Sequence, residues 1–167
     1  MTDSLSGKLN LKINNYPIIL GKALDAAQLH SQGFHKVGFF ARLLLRPEKG
    51  ELLYLSKNSV ISYLSGDDCI IRPVMDQKHK KRALLGTIAY LWYKNNRLSK
   101  VGFQIIQSTE YVAVTLFEEL EKKVVEAIAS PPHSSQNQRV WEVNNQKLIL
   151  VFPNNHKYGY IHLVDSE

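Results

Sequence analysis

The pattern of apolar and polar positions along the chain predicts a mixture of short strands and helices. Residues 8–14 alternate apolar side chains with lysine or asparagine, which is the period-two pattern of a strand with one buried face. Residues 36–46 and 51–56 flank the sequence Pro-Glu-Lys-Gly, which suits a type I turn, so these two segments predict a hairpin. Residues 22–31 consist mostly of helix formers and predict a short helix.

Two longer segments have the spacing of amphipathic helices, and they are the two main helices that we expect. The first covers about 77–95, where five apolar side chains fall within one arc of about 120° of a helix: Leu84, Leu85, Ile88, Leu91 and Trp92. The second covers about 116–129. It begins with Thr115-Leu116-Phe117-Glu118, which fits a capping box, and its apolar residues again share one face.

The C-terminal part of the chain predicts a β-meander of three strands over 139–164. Asn144-Asn145 suits a two-residue hairpin turn with positive φ, and Pro153-Asn154-Asn155 provides the second connection. The segment 130–138 precedes the meander, is rich in proline and serine, and predicts a loop. We therefore expect a single compact α+β domain over 1–167 with antiparallel sheet elements, and any sub-boundary within it at 130–138.

The amino-acid composition limits the classes of protein to which this chain can belong. The chain has 167 residues, 44% of them apolar, which is typical of a globular protein with a substantial core. The single cysteine, Cys69, excludes a disulfide framework and a cysteine-based zinc site, and it fits a reducing compartment. No apolar run approaches the roughly 18 residues of a membrane-spanning helix, and the first residues lack the pattern of a secretory signal. We expect a cytoplasmic protein with no membrane partner.

The net charge of +6 is concentrated in one segment, and the position of this charge indicates more about function than its total value does. Residues 78–100 contain seven basic side chains and no acidic one, whereas the rest of the chain has 14 basic against 15 acidic side chains. Lysine and arginine neutralise phosphates, and tyrosine can stack on an unpaired base. The basic and tyrosine side chains of the predicted helix are therefore candidate nucleic-acid contacts: Lys78, Lys80, Lys81, Arg82, Tyr90, Tyr93, Lys94 and Arg97.

The last predicted strand adds a second candidate surface. Alternation places His156, Tyr158, Tyr160 and His162 on one side of the strand, opposite the apolar residues that would face the core. Such a ladder is suited to stacking on bases, so Tyr158 and Tyr160 join the candidate nucleic-acid contacts. Two alternatives stay open here. The tyrosines can be ordinary strand residues, or His156 and His162 can act as general acid and base in a metal-independent ribonuclease.

The sequence contains none of the motifs that usually accompany nucleotide or acyl-transfer chemistry. It has no G-x-S-x-G, no phosphate-binding G-x-x-x-x-G-K-[ST] and no G-x-G-x-x-G. Asp67-Asp68 follows Gly66 and is typical of a turn, so we expect neither a metal site nor a cofactor.

We expect a non-catalytic nucleic-acid-binding protein, or a small subunit of a nucleoprotein complex, and the sequence does not distinguish RNA from single-stranded DNA. The alternatives are the small ribonuclease and an inhibitor or immunity-type module that docks an acidic protein partner.

Overall fold

The computed structural model describes residues 4–37, 51–66, 69–75, 83–107, 114–153 and 158–165. Within these ranges the chain forms three helices and short and long strands that all pair antiparallel, which confirms the α+β class. In chain order the elements are α1 (Leu5–Leu9), β1 (Lys12–Ile13), β2 (Tyr16–Pro17), α2 (Ala26–Ser31), β3 (His35–Lys36), β4 (Glu51–Lys57), β5 (Ile61–Ser62), β6 (Ile70–Ile71), β7 (Val74–Met75), β8 (Ala83–Lys94), β9 (Arg97–Gln107), α3 (Val114–Ile128), β10 (His133–Ser134), β11 (Gln138–Val143), β12 (Gln146–Val151) and β13 (Tyr158–Asp165).

The main sheet has nine strands, in the order β10-β11-β12-β13-β9-β8-β4-β3, and β7 pairs with the start of β8. Its two longest strands, β8 and β9, form a hairpin around Asn95 and Asn96. Both asparagines have positive φ, 53° and 60°, as a tight two-residue hairpin turn requires. Strand β13 pairs with the other edge of β9, so β8, β9 and β13 lie side by side in the interior of the sheet.

One face of the main sheet, which we call the inner face, contributes to the hydrophobic core. Alternate residues of β8 are buried there, including Leu85, Ala89 and Leu91. Helix α3 packs on this face through its buried residues Phe117, Leu120, Val124 and Ile128. The amphipathic pattern of α3 is the reason that it lies on the sheet, because burying one apolar face contributes more to its stability than its intrinsic helix propensity.

A second, smaller sheet has the strand order β2-β1-β5-β6 and also contributes to the core. Side chains from α1, from this sheet and the residues next to its strands, from α3 and from β12 and β13 line one small apolar gap: Leu9, Leu11, Ile61, Tyr63, Ile71, Leu120, Val124, Leu148, Leu150 and Ile161. The small sheet and α1 therefore pack on the same side of the main sheet as α3. The opposite face, which we call the outer face, carries the side chains that alternate with the buried ones.

The predicted helix over 77–95 is wrong. Its described part, Ala83–Lys94, is strand β8, which pairs with β4 and β9. The helical arc appeared because both faces of this strand carry apolar residues. Leu91 points into the core, whereas Ile88 and Trp92 alternate with the buried positions. A segment that is apolar on two sides satisfies helical and strand periodicity together, and here the pairing with two neighbouring strands decides between them. Residues 77–82 lie outside the described residues.

The other main helix and the meander are confirmed. Helix α3 covers Val114–Ile128, close to the predicted 116–129, and β11, β12 and β13 form the three-strand meander. The segment 130–138 is not entirely a loop, because His133–Ser134 forms β10 and pairs with β11. The sub-boundary at 130–138 stays a prediction.

The N-terminal strand prediction over 8–14 is largely wrong. Helix α1 covers Leu5–Leu9, where the Ser4 hydroxyl accepts a hydrogen bond from the Gly7 backbone N–H at 3.1 Å, and only Lys12–Ile13 is extended. A helix cap outweighs the alternation here because it satisfies backbone donors at the start of the helix. The short helix expected over 22–31 is present only in part, because α2 begins at Ala26 after the N-cap Asp25, and Ala23 instead forms an isolated bridge with Arg97.

The predicted hairpin over 36–46 and 51–56 can be compared with the structure only at its ends. His35 of β3 lies opposite Leu55 of β4, and Lys36 lies opposite Tyr54, in antiparallel register. Residues 38–50, which include the expected turn, lie outside the described residues.

We expect Gly159→Ala to destabilise the fold. A Cβ atom at residue 159 would lie 2.7 Å from Cζ and 2.8 Å from Cε2 of Phe117, where α3 meets the sheet. Relieving this overlap requires a shift of the helix or the strand, so the free energy of unfolding in urea should fall by about 1–3 kcal/mol.

Gly86→Ala is the matched control, because its Cβ would make an ordinary contact of 3.6 Å with Ile106. Its free energy of unfolding should stay unchanged or rise by up to about 1 kcal/mol. Equal losses in the two variants would contradict the close packing of Phe117 on β13.

Candidate functional site

The outer face of β8, β9 and β13 brings together a group of aromatic and polar side chains. Strand register places Tyr90 opposite Gly102 and Gly102 opposite His162, and it places Gln104 opposite Tyr160. Directly opposite residues in an antiparallel sheet point to the same side, so these side chains share one surface. We call the following six residues the aromatic face: Tyr90, Trp92, Lys100, Gln104, Tyr160 and His162. All six are partly exposed.

Tyr90 and Trp92 form the first aromatic pair. Their ring centroids are 5.6 Å apart and the rings are tilted by 31°. The ammonium of Lys100 lies 4.8 Å from the centroid of the Trp92 ring, which is a cation–π distance. A register shift at Ser99 places Lys100 directly opposite Trp92, and the Ser99 hydroxyl donates a hydrogen bond to the Trp92 carbonyl at 3.0 Å.

Tyr160 and His162 form the second aromatic pair, on the neighbouring strand β13. Their ring centroids are 5.9 Å apart and the ring planes differ by only 18°, so the phenol and the imidazole stand nearly parallel. Residues two apart on a strand point to the same side, which is the reason that the alternation of this strand produces the pair. The expectation that Tyr158, Tyr160 and His162 alternate with buried residues is confirmed.

Gly102 lies between the two aromatic pairs, and its lack of a side chain leaves room for Trp92 and His162 to come close to each other. A Cβ atom at this position would lie 3.0 Å from Cζ3 and 3.1 Å from Cη2 of Trp92, and 3.5 Å from Nδ1 of His162. The indole therefore occupies the space that a side chain on β9 would fill. A glycine in the middle of a long strand costs stability, and here it allows Trp92 and His162 to approach the same point.

Gln104 connects the two aromatic pairs through its amide. The Tyr90 hydroxyl donates to Oε1 of Gln104 at 3.5 Å, and Nε2 of Gln104 donates to the Tyr160 hydroxyl at 3.5 Å. Both contacts are long for hydrogen bonds, so they orient the amide more than they stabilise the fold.

The electrostatics of the aromatic face favour neutral rings at neutral pH. Burial lowers the pKa of His162, and the nearby positive charge of Lys100 lowers it further. Nδ1 of His162 is buried and has no hydrogen-bond partner within the described part of the chain. Burial raises the pKa of Tyr90, and the neighbouring phenol of Tyr160 acts in the same direction. The imidazole and the phenol are therefore both uncharged near pH 7, while Lys100 supplies a positive charge.

Of the tyrosines predicted from sequence, Tyr90, Tyr158 and Tyr160 lie on the outer face, and Tyr93 does not. Tyr158 is 39% exposed and lies further along β13. Tyr93 is 1% exposed on the inner face, because the odd-numbered residues of this part of β8 point into the core. Its burial, together with the phenol of Tyr16, raises the pKa of Tyr93. A buried phenol cannot stack on a ligand, so Tyr93 is not a candidate contact.

Two of the predicted basic contacts, Lys94 and Arg97, flank the turn of the β8–β9 hairpin and are exposed. Arg97 also has a structural contact, since its Nη1 donates a hydrogen bond to the Gly21 carbonyl at 3.0 Å. The remaining predicted residues lie outside the described residues: Lys78, Lys80, Lys81, Arg82 and His156.

Sequence reasoning missed Trp92, Lys100, Gln104 and the role of Gly102. Trp92 was assigned to the core side of a helix, and that error followed from the wrong period for β8. The signal that would have corrected it is the pair Asn95-Asn96 between two segments rich in β-branched and aromatic residues, which is typical of a hairpin.

The described residues contain neither a cluster of metal-binding side chains nor a membrane-spanning helix. No group of three or more histidine, cysteine, aspartate or glutamate side chains in these ranges could hold a metal ion. No helix in the same ranges is long and apolar enough to cross a membrane.

Comparisons with known proteins match no family model, no curated protein and no solved structure.

We expect the pKa of His162 to lie below the ordinary histidine value of 6.5, and we expect Lys100→Met to raise it part of the way back. Titration of the imidazole C–H resonances by NMR measures both values. Because the pKa is lowered in the folded state, neutral His162 favours the fold above pH 6.5, and this contribution is lost as the pH falls below that value.

When the pH is lowered from 7 to 5, the free energy of unfolding in urea should therefore fall less in a His162→Gln variant than in the protein with His162. A His162 resonance that titrates at or above 6.5 would contradict this electrostatic description of the aromatic face.

We expect Gly102→Ala to displace the indole of Trp92, because its Cβ would lie only 3.0 Å from the ring. The indole N–H resonance of Trp92 should shift in a proton–nitrogen NMR spectrum. That of Trp141, which is buried on the inner face and donates to the Ser130 carbonyl at 3.1 Å, should stay in place. An unshifted Trp92 resonance would show that the indole does not lie over Gly102.

Proposed function

We propose that this protein binds single-stranded nucleic acid on its aromatic face and catalyses no reaction on it. The observation that carries the proposal is the outward display, on three adjacent central strands, of two aromatic pairs, one tilted and one stacked, with a lysine against one of the rings. The binding surface combines Tyr90 and Tyr160 with Trp92 and His162.

Stacking explains why rings would be displayed on an open sheet face. Unpaired bases have large planar surfaces that stack on tyrosine, tryptophan and histidine, and single-strand-binding sheets use such rings. Gly102 leaves the space that the indole of Trp92 occupies, and the amide of Gln104 lies between the hydroxyls of Tyr90 and Tyr160. A pre-oriented surface loses little conformational entropy on binding, which favours affinity.

The charge distribution supports a polyanionic ligand. Lys100 lies on the aromatic face, and Lys94 and Arg97 lie at the hairpin end of the same two strands. These three residues belong to the segment 78–100, which has seven basic side chains and no acidic one. Cations beside stacking rings would neutralise phosphates while the rings hold the bases.

The proposal leaves both RNA and single-stranded DNA as ligands. We place the protein in the cytoplasm, acting alone or as a small subunit of a nucleoprotein complex. The alternative ribonuclease would need a second catalytic group that acts together with His162. Docking of an acidic protein would depend on the positive charges more than on the aromatic rings. The experiments described next distinguish both alternatives from nucleic-acid binding.

Binding of fluorescein-labelled oligouridylate and oligothymidylate should weaken steeply as salt rises between about 50 and 200 mM. Fluorescence anisotropy measures the affinity at each salt concentration. Lys100→Ala should reduce the slope of log affinity against log salt by about 0.7, the value for one phosphate contact on a single strand. Lys122→Ala is the matched control, because Lys122 is an exposed lysine on α3, and α3 packs on the inner face.

No measurable binding of either oligonucleotide at low salt would refute the proposed function. Cleavage of the oligouridylate in EDTA that is lost in His162→Ala would identify a ribonuclease instead. Binding of an acidic polypeptide with the same salt slope, and with no effect of Tyr160→Ala, would favour the protein-docking alternative.

Tyr160→Ala should weaken oligonucleotide binding by about 1–3 kcal/mol while leaving the salt slope unchanged, because it removes a stacking surface and no charge. Tyr160→Phe is the matched control and should retain most of the affinity, since it keeps the ring. Circular dichroism establishes that both variants are folded. Equal affinities of the alanine and phenylalanine variants would refute stacking at this residue.

A further inference from the structure

Gln104 is a polar side chain in the middle of a surface otherwise suited to stacking. It lies on the central strand β9, directly opposite Tyr160 and between the two aromatic pairs. It is partly exposed, so its amide is accessible to a ligand on the outer face. Neither stacking nor phosphate neutralisation requires an uncharged amide there.

The hydrogen-bonding capacity of the Gln104 amide is not exhausted by its neighbours. A glutamine side chain has two N–H donors and an oxygen that accepts two hydrogen bonds. The Tyr90 hydroxyl approaches Oε1 and the Tyr160 hydroxyl approaches Nε2, each at 3.5 Å. These contacts use one acceptor position and one donor, and they set which end of the amide faces which strand. One acceptor position and one N–H remain for a ligand.

We propose that Gln104 hydrogen-bonds the edge of a base held on the aromatic face and makes the site prefer adenine, an inference that rests on the proposed function. An amide presents an acceptor and a donor side by side, and glutamine pairs in this bidentate way with N6 and N7 of adenine. Adenine offers the matching donor and acceptor on its Watson–Crick edge as well.

The other bases match the amide less well. Guanine presents only acceptors on its N7–O6 edge, so guanine and the two pyrimidines offer a donor beside an acceptor on the Watson–Crick edge alone, whereas adenine does so on two edges. A partly buried amide that a ligand covers without pairing loses its hydrogen bonds to water, so a base that lacks the matching groups is disfavoured. Adenine also has the larger purine surface for stacking on Tyr90 or Tyr160.

The test compares oligoadenylate, oligocytidylate and oligouridylate of equal length with an oligonucleotide that carries purine, which lacks the exocyclic amine, in place of adenine. Fluorescence anisotropy at fixed salt gives the affinities. Oligoadenylate should bind about tenfold or more tightly than the purine oligonucleotide, as expected for one bidentate pair. The purine comparison uses the unchanged protein and therefore does not depend on how a variant folds.

Gln104→Ala and Gln104→Leu should both bring the ratio of adenine to purine affinity close to one while leaving the salt slope unchanged. Gln28→Ala is the matched control, because Gln28 is exposed on α2, whose buried Leu29 joins the core. It should leave the ratio unchanged.

Salt-dependent binding with equal affinities for adenine and purine would overturn the role of Gln104 and leave the proposed function standing. A ratio that persists in both Gln104 variants would also overturn it. Absence of binding to every oligonucleotide would overturn both proposals.

Discussion

The register of β8 against β9 decides which side chains enter the core and which form the aromatic face. The turn at Asn95 and Asn96 sets the first pairing, Lys94 opposite Arg97, and the irregularity at Ser99 then shifts the register by one residue. Side chains alternate along a strand, so a slip of one residue would exchange the two faces of β9. The core residue Phe103 and the partly exposed Gln104 are neighbours that point in opposite directions. Stability and the candidate site therefore depend on the same strand pairing.

The parts of the fold that local sequence signals specify could be predicted. Helix α3 has one apolar face, and the meander has recognisable turns, so both were placed within a few residues, although α3 begins at Val114 and the expected cap residue Thr115 lies inside the helix. The alternation of β13 is equally clear, which is the reason that Tyr160 and His162 were assigned to one surface. Strand β8 has apolar residues on both faces, so its conformation depends on its pairing with the neighbouring strands β4, β7 and β9. Trp92 and Gln104 could not be placed beside Tyr160 without that tertiary pairing.

The arrangement of the aromatic face involves very few charged side chains. Among its six members only Lys100 is charged near neutral pH, because burial and that lysine together lower the pKa of His162. The ammonium of Lys100 lies over the indole of Trp92 at a distance where the attraction is worth about 0.5–1 kcal/mol on an exposed surface. One cation therefore stabilises the position of a ring and adds to the effect of burial, which lowers the pKa of a nearby imidazole.

The short edge strand β10 has a consequence for the behaviour of the protein at high concentration. Edge strands expose unpaired backbone groups on which a second chain can add a strand, and this is a common route to aggregation. Here the main sheet ends beyond β11 in the two residues His133 and Ser134, and Pro131 and Pro132 come directly before them. Because proline has no backbone N–H, the edge cannot be lengthened in that direction by regular pairing. Strand β10 therefore offers few backbone groups on which a second chain could add a strand at this end of the largest sheet.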